Sequence, residues 1–254
     1  MADTIAVLSL KGGTGKTTTV RTLTDVFRRI GLDVLAIDLD PQGNLSDYFD
    51  VPPDATPTIA DVLSGDAKAK NAVHDGLVPA TPILAEVERS LSGKIGRELV
   101  LRKALKDARK QYDVILIDCP PALGLLTING LVAADHALIS SEAQYFALQG
   151  VEGAIEVIEQ AREYYNDDLQ VLGVLMNIAD MRTKHSKDAY AQLREAFGEQ
   201  VFETVIRSSI AYAESAEKAL SILDYRPDLG ADYEALAAEV LDRIGRVDAR
   251  ARLS

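Results

Sequence analysis

The sequence has 254 residues, of which 47% are hydrophobic and 26% charged, enough for one large or two small domains with a buried core. This composition excludes a disordered, collagen-like or coiled-coil chain. The 39 acidic and 27 basic residues give a formal net charge of −12. Such a charge argues at first against a nucleic-acid partner, because phosphate binding usually leaves a basic surface.

The cysteine content and the lengths of the apolar runs predict the cellular compartment of the protein. Cys119 is the single cysteine, which excludes an intramolecular disulfide framework and a zinc cage of several thiolates. No run of about 18 apolar residues is present, as a transmembrane helix would need. The start, Met1-Ala2-Asp3-Thr4, lacks the basic and apolar segments of a signal peptide. We therefore expect a cytoplasmic protein.

Short Val-, Ile- and Leu-rich runs alternate along the chain with segments of helical period, with no internal repeat or low-complexity block. The predicted strands are Thr4–Leu10, Asp33–Asp38, Asp113–Asp118, His136–Ser140, Gln170–Met176 and Phe202–Val205, with a weaker one at Leu77–Ile83. Continuous apolar runs suit strands that are buried on both faces, as in a parallel sheet.

The predicted helices lie between these strands, at Thr17–Ile30, Gly96–Lys110, Thr127–Ala134, Leu148–Tyr165, Lys187–Phe197 and Ala231–Ile244. The region from Pro41 to Pro57 is predicted to be a loop, too short for a domain linker. The alternation predicts an α/β fold of the P-loop NTPase type, with a mostly parallel twisted sheet and helices on both faces. We expect a single domain over residues 1–254.

A phosphate-binding loop is the strongest motif. It lies between the first predicted strand and helix and reads Lys11-Gly12-Gly13-Thr14-Gly15-Lys16-Thr17-Thr18. Glycines let backbone N–H groups converge on phosphate oxygens, and the helix N-terminus adds partial positive charge. We expect Lys16 to contact the β- and γ-phosphates, Thr17 to bind Mg²⁺ and Thr18 to lie near the α-phosphate. The alternative is a glycine-rich turn without a ligand.

The loop departs from the usual pattern in two places. Leu10 stands where that pattern has a glycine, and a second lysine, Lys11, begins the loop. This sequence resembles the deviant Walker A motif of the ParA/MinD family of ATPases. The resemblance implies a P-loop fold, ATP and Mg²⁺ as ligands, and a homodimer on ATP binding in which Lys11 crosses to the partner's nucleotide. The alternative for Lys11 is a solvated loop lysine.

Two carboxylates follow the second predicted strand. Asp38 and Asp40 lie two residues apart, so alternation along a strand would place both on one face, at the edge where doubly wound folds bind ligands. Asp-x-Asp-Pro-Gln-Gly-Asn also resembles the family's second motif. By that resemblance, Asp40 orients or activates the attacking water and Asp38 supports the magnesium shell. Alone, such a pair is more often a turn or helix cap.

A third carboxylate ends the apolar run that begins at Ile115. Four apolar residues before Asp118 form a Walker B pattern, in which the carboxylate lies beside Mg²⁺. By resemblance, the Asp-x-Pro-Pro sequence begins a switch loop that senses the γ-phosphate. Cys119 is expected to be a small buried residue, because no neighbour in sequence would activate its thiol.

The resemblance spans nearly the whole chain and favours small partition ATPases of the ParA type. It includes Gly76–Pro82, Glu142–Gly150 and Val205–Glu214. It implies adenine contacts from Asn177, Ile206 and Arg207; for Asn177 the alternative is a strand-end cap. The catalytic residues it implies are Lys11, Lys16 and Asp40, and the metal-site residues are Thr17, Asp38 and Asp118.

Other branches of the family fit less well. The phosphate loop begins at residue 11, which leaves no room for an N-terminal helix-turn-helix domain. The C-terminal segment 241–254 is basic but lacks bulky aromatic residues and a continuous apolar face, so a membrane partner is not expected. An iron–sulfur cluster would need more than one cysteine.

Basic residues cluster locally although the chain is acidic. The groups are Lys94 to Lys110, Arg182 to Lys187 and Arg243 to Arg252, and each alone could be a solvated face. The candidate DNA contacts, matched to the family by position only, are Arg182, Lys184, Lys187, Arg207, Arg243 and Arg246.

The leading hypothesis is a partition ATPase for plasmid or chromosomal DNA. An ATP-bound sandwich dimer would bind non-specific double-stranded DNA on the nucleoid, and a ParB-like adaptor would stimulate hydrolysis and release it. Alternatives are positioning of a protein cargo, such as a chemoreceptor array or carboxysome, and a MinD-like division-site regulator at the membrane.

Overall fold

The computed structural model describes residues 1–144 and 147–253. Tyr145, Phe146 and Ser254 lie outside the described residues, so part of the Glu142–Gly150 resemblance is not described.

Seven parallel strands form one sheet in the order β3-β2-β4-β1-β5-β6-β7. In chain order the strands are β1 (Asp3–Leu8), β2 (Val34–Asp38), β3 (Leu77–Val78), β4 (Val114–Asp118), β5 (His136–Glu142), β6 (Gln170–Ala179) and β7 (Val201–Arg207). Every strand pair is parallel, which confirms the predicted sheet and fold class.

Twelve α-helices are described, together with short 3-10 turns. They are α1 (Lys16–Arg29), α2 (Asn44–Tyr48), α3 (Ile59–Ser64), α4 (Ile83–Leu91), α5 (Val100–Ala104), α6 (Leu125–Ala133), α7 (Ala147–Tyr164), α8 (Lys184–Phe197), α9 (Ala211–Glu217), α10 (Ile222–Tyr225), α11 (Pro227–Arg243) and α12 (Val247–Arg250). None of the helices in the described part of the chain is long and apolar enough to cross a membrane.

The sheet separates two apolar cores because neighbouring residues of a strand face opposite ways. In β1, Ala6 and Leu8 pack with α3 to α8, whereas Ile5 and Val7 pack with α1, α2 and α9 to α12. Helices therefore cover both faces, as the sequence predicts.

The prediction of one continuous helix over Gly96–Lys110 is wrong. The structure has a 3-10 turn at Arg97–Leu99, then α5, then a second turn at Ala108–Lys110. The buried Asn129 side chain explains the first break, because its oxygen accepts from the Leu101 N–H (3.1 Å) and its amide donates to the Arg97 carbonyl (2.8 Å). Those backbone groups are thereby diverted from a regular helix.

Two other boundaries also differ from the prediction. The strand predicted at Leu77–Ile83 is only the two residues of β3, because Pro79 has no N–H to donate to a sheet and α4 begins at Ile83. The predicted loop from Pro41 to Pro57 contains α2, which begins after Gly43 in a left-handed conformation (φ 71°).

The register brings the carboxyl ends of the central strands together. Asp38, the last residue of β2, lies opposite Asp118, the last residue of β4, and Asp118 also lies opposite Val7 of β1. The phosphate loop follows β1 directly, so all three motifs meet at this edge of the sheet.

Candidate nucleotide site

The phosphate loop is held in shape by hydrogen bonds behind it. The Ser140 hydroxyl donates to the Thr14 carbonyl (2.7 Å), and the Thr14 hydroxyl donates to Ser9 Oγ (2.9 Å). Gly13 (φ 78°) and Gly15 (φ 82°) adopt the left-handed conformation that glycine accepts without strain. Gly15 precedes α1, so the helix N-terminus points into the loop.

Lys16 is a buried cation at the base of this loop. It is 7% exposed, and its ammonium donates to Ser9 Oγ at 3.1 Å. No ion pair to Lys16 exists within residues 1–144 and 147–253. Because a buried ammonium that makes no direct ion pair is costly, this position is suited to an anionic ligand such as a phosphate.

Thr17 and Asp118 form the second part of the site. The Thr17 hydroxyl donates to Asp118 Oδ2 at 2.7 Å, and the other oxygen, Oδ1, is buried without a hydrogen-bond partner. Burial, followed by the nearby charge of Asp38, raises the pKa of Asp118 to about 8. A divalent cation would give Asp118 Oδ1 a partner and would neutralise the negative charge of the carboxylates.

This donor set fits Mg²⁺, which is usually held by one or two carboxylates, water and substrate phosphates. Thr17 and Asp118 supply a hydroxyl and a carboxylate oxygen at the end of β4. The described residues contain no group of three His, Cys, Asp or Glu side chains that could hold a metal alone. The nucleotide itself would therefore have to complete the coordination shell.

Asp38 is fully buried, and its oxygens are already occupied. Oδ2 accepts from the N–H and hydroxyl of Ser46 (2.9 and 2.7 Å), and Oδ1 accepts from the Asp40 N–H (3.1 Å). Burial raises the pKa of Asp38 to about 6, against these hydrogen bonds. Asp38 thus fixes the backbone that carries Asp40, and its support of a magnesium shell stays a prediction.

Asp40 follows β2 and is partly exposed. Its Oδ1 accepts from the Gln42 N–H at 3.0 Å, which holds the carboxylate at the turn before α2. The residue lines a cavity of about 660 Å³ together with Gly12–Thr18. Asp40 therefore shares this cavity with the phosphate loop, and its role in orienting water stays a prediction.

The same cavity continues past α1 to the nucleoside end. Of the predicted adenine contacts, Asn177 and Arg207 line it, whereas Ile206 is buried in the apolar core. Lining residues that the sequence analysis did not select are Gln42, Asn44, Asp47, Tyr48, Pro121, Ile178, Ser209, Tyr212, Ala213, Ala216, Glu217 and Tyr233. Most of them come from α2, α9 and α11, and the others from β6 and the segments that follow β2, β4 and β7, so the tertiary fold brings them together.

Asn177 lies within β6 and is not a strand-end cap. Its amide donates to Thr19 Oγ1 and Ser140 Oγ, both at 3.1 Å. A Cβ on Gly15 would lie 2.8 Å from the side-chain amide nitrogen of Asn177, so the Asn177 side chain packs directly on the Gly15 backbone. Asn177 therefore connects the phosphate loop to β5 and β6, and its contact with adenine stays a prediction.

Lys11 lies outside this cavity. Its side chain is 61% exposed, and its ammonium contacts Glu142 (3.1 Å) and Gln144 (2.5 Å) of the same chain. The three residues line a separate cavity of about 110 Å³ behind the loop. The lysine is thus accessible and directed away from the chain's own phosphate-binding position.

Cys119 is a buried free thiol, as expected. Burial raises the pKa of this thiol well above its usual range, which keeps it protonated and unreactive.

The candidate DNA residues differ in how far the fold already holds their side chains. Arg182, Lys184 and Lys187 lie at the start of α8 and are exposed, and Arg182 pairs with Asp180 (2.8 Å). The other three candidates are held by internal contacts: Arg207 by Asp232, Arg243 by four backbone carbonyls and the Phe202 ring, and Arg246 by Asp3 and Asp113. Their contact with DNA stays a prediction.

Known proteins resemble the chain over nearly its full length. The AAA domain family model AAA_31 matches residues 2–171. The chromosome-partitioning ATPase Soj of Thermus thermophilus is 39% identical over 94% of this chain and 96% of its own.

Two solved structures share the fold. Cobyrinic acid a,c-diamide synthase of Mycobacterium smegmatis, with bound ADP and magnesium, is 35% identical over 86% of this chain and 92% of its own, with a TM-score of 0.78. Apo McdA of Cyanothece is 27% identical over 95% of this chain and all of its own, with a TM-score of 0.85. With the deviant Walker A, Asp40 and Asp118 motifs at one sheet edge, these similarities show that the chain belongs to the ParA/MinD family of P-loop ATPases.

Proposed function

We propose that this chain is a magnesium-dependent ATPase whose ATP-bound dimer binds non-specific DNA and serves partition of a replicon. The observation that carries the proposal is the single cavity that unites Gly12–Thr18 with Asp40, while Thr17 is bonded to the buried Asp118. The name of the Thermus relative supports a role in chromosome partitioning.

Hydrolysis at this site needs positioning and charge neutralisation. Water attacks the γ-phosphorus, the bond to the β–γ bridging oxygen breaks, and ADP and inorganic phosphate leave. Lys16 and the loop N–H groups stabilise the phosphate charge, and Asp40 orients the water. Mg²⁺ held by Thr17 and Asp118, with support from Asp38, supplies further neutralisation when bound.

Lys11 is the residue that would make the site depend on a dimer. In the single chain its ammonium contacts Glu142 and Gln144, both next to the loop. An exposed pair of this kind is worth at most about 1 kcal/mol, so release costs little. In the proposed dimer Lys11 would contact the partner's nucleotide, and binding would thereby be linked to assembly.

The α8 group is the part of the DNA proposal that the surface supports best. Lys184 and Lys187 are exposed and have no ion pair within the described part of the chain. Two copies in a dimer would double this charge, and phosphate contacts give binding that weakens steeply with salt. A monomer with net charge −12 would bind DNA weakly. A ParB-like adaptor would then trigger hydrolysis and release.

The test is DNA binding by the Asp40→Ala variant with Mg²⁺ and ATP or ADP. We expect binding of a random-sequence duplex with ATP only, and loss of at least about tenfold in affinity with Lys184→Ala/Lys187→Ala. The control is Arg29→Ala/Arg226→Ala, which also removes two exposed positive charges, here from arginines that pair with Asp224 and Asp228. DNA binding that ignores the nucleotide would contradict the proposal.

Positioning of a protein cargo is the second candidate. It is favoured by the internal contacts of Arg207, Arg243 and Arg246, which leave the α8 group as the part of the predicted DNA contacts that is not held by the fold. Normal ATP-dependent dimerisation without DNA binding at low salt would select this candidate.

A further inference from the structure

A basic face lies at the opposite end of the sheet from the nucleotide cavity. It consists of the cations around α5 and the loop after α3, namely Lys68, Lys70, Arg102, Lys103, Lys106 and Lys110. The Ala2 N–H donates to the Arg109 carbonyl (2.7 Å) and the Asp3 N–H to that of Asp113 (3.0 Å), so the face adjoins the amino ends of β1 and β4. The six residues of β1 put ~20 Å between this face and the phosphate loop.

Few of these charges are neutralised within the chain. Lys68, Lys70, Lys103 and Lys106 have no side-chain hydrogen bond or ion pair in the described residues, and Lys110 pairs only with the exposed Asp107. Arg109, in the same stretch, differs because both oxygens of Asp135 bind it (2.7 and 2.6 Å). The chain thus leaves a local excess of positive charge although its net charge is −12.

The floor of the basic face is apolar. One cavity, of about 420 Å³, contains Leu99 and the aliphatic stems of Lys103 and Lys106. The adjoining cavity, of about 550 Å³, is lined by Val62 and Val100. Lys103 and Lys110 line both cavities, so the two hollows form one continuous surface rimmed by cations.

We propose that this basic face is a docking site for an acidic segment of another protein that carries apolar side chains among its carboxylates. Carboxylates complement the rim, because neighbouring cations such as Lys103 and Lys106 repel each other until a partner neutralises them. Apolar side chains fill the two hollows and remove their floors from water. A nucleic-acid backbone supplies the charge but nothing that fills an apolar hollow.

The site is independent of the proposed ATPase cycle. Its residues neither line the nucleotide cavity nor contact the phosphate loop, so docking and nucleotide binding use separate surfaces. Failure of one proposal therefore leaves the other intact.

The experiment measures fluorescence anisotropy of a fluorescein-labelled synthetic peptide in which glutamates surround two leucines spaced i and i+4. Polyglutamate of equal length lacks the apolar groups, and a duplex DNA oligonucleotide tests the nucleic-acid alternative. With the full chain at low salt, we expect the leucine-containing peptide to bind at least about tenfold more tightly than polyglutamate.

Charge reversal locates the binding. Lys103→Glu/Lys106→Glu is expected to weaken peptide binding at least about tenfold, and Lys103→Gln/Lys106→Gln to weaken it less. Arg29→Glu/Arg226→Glu alters the net charge equally, at exposed arginines of another surface, and is expected to leave affinity within about twofold. Binding of a fluorescent ATP analogue reports that each variant is folded.

Four results would overturn the proposal. They are no peptide binding, equal affinity for polyglutamate, equal loss in the control variant, and DNA binding through Lys103 and Lys106 in place of peptide binding.

Discussion

Several charged side chains at the carboxyl end of the sheet are buried, whereas the cations of the basic face at the amino end are exposed. At the carboxyl end, Lys16, Asp38 and Asp118 are each less than a tenth exposed. Lys16 lines the nucleotide cavity, and Asp118 is hydrogen-bonded to Thr17, which also lines it. At the amino end, cations such as Lys103 and Lys106 are exposed and unpaired in the described chain. Buried charges are costly without a ligand, whereas exposed charges cost little. The buried charges at the carboxyl end are therefore expected to bind a ligand tightly, and the exposed cations at the amino end to bind a partner weakly.

Removing the buried cation should have the largest effect. Lys16→Ala is expected to weaken ATP binding at least about a hundredfold, because the carboxyl end loses the buried charge that we propose binds the phosphates. Isothermal titration with Mg-ATP measures it. Lys94→Ala is the control, because this exposed lysine lines neither the nucleotide cavity nor the two hollows of the basic face. Equal loss of ATP affinity in both variants would contradict the contrast.

Asp40→Ala should separate binding from turnover. We expect the hydrolysis rate to fall about a hundredfold or more while ATP affinity changes little, because in the proposed mechanism Asp40 orients the water and the loop binds the phosphates. Phosphate release and ATP titration measure the two effects. The matched control is Asp47→Ala, because Asp47 is also an aspartate that lines the cavity but it lies within α2. Turnover that survives in Asp40→Ala would remove its assigned role.

Asp118→Asn should stabilise the apo protein while it impairs magnesium binding. The pKa of Asp118 is about 8 in the fold and near 3.8 when unfolded, so the folded state binds more protons over this range. The free energy of unfolding therefore falls as pH rises from about 4 to about 8, and Asp38 adds to this fall up to about pH 6.

The Asp118→Asn variant lacks the part of this pH dependence that arises from Asp118. In EDTA we expect it to be more stable than the wild type by on the order of 1–3 kcal/mol at pH 8, with a smaller difference at pH 5. Urea unfolding at the two pH values measures it. Parallel pH profiles for both proteins would show that burial of this carboxyl has no cost.

Gly15→Ala should have a moderate effect. The new Cβ would lie 2.8 Å from the Asn177 amide nitrogen, and φ of 82° is unfavourable for alanine. We expect a loss of about 1–3 kcal/mol in stability with weaker ATP binding. Gly12→Ala is the control, because nothing lies within 4 Å of a Cβ at that position, and it should lower the thermal unfolding temperature less. A larger decrease for Gly12→Ala than for Gly15→Ala would contradict the close contact between Gly15 and Asn177.

The smallest effects should distinguish paired from unpaired cations at the amino end. Arg109→Ala removes a two-oxygen pair with Asp135 and should cost about 1–2 kcal/mol. Lys106→Ala removes an unpaired exposed amine and should change stability by less than about 0.5 kcal/mol. Chemical unfolding of both variants measures the contrast, and equal losses would show that Lys106 has a structural partner.

Sequence reasoning predicted the carboxyl end well because each motif there is local. Gly12–Thr18 and Asp40 follow buried strands and Asp118 ends one, and strand ends in a parallel sheet meet at one edge. It could not find Tyr212 or Tyr233, because the cavity joins them only through α9 and α11. Nor could it find the break before α5, since Asn129 lies far along the chain from the backbone it binds.

The basic face shows the same limit. The sequence displays a run of cations from Lys94 to Lys110, but not that Asp135 removes Arg109 from it. Similarly, Arg243 and Arg246 are basic in the sequence but are held by carbonyls and carboxylates distant in the chain. Whether a charge is free depends on tertiary partners, which local patterns do not encode.

The mass of the Asp40→Ala protein in solution, with Mg²⁺ and either ATP or ADP, tests the central claim most directly. Light scattering should give twice the chain mass of 27.5 kDa with ATP and the single chain mass with ADP. Adding Lys11→Ala should abolish the dimer while ATP remains bound. A single-chain mass in ATP, or a dimer that persists without Lys11, would contradict the nucleotide-gated switch.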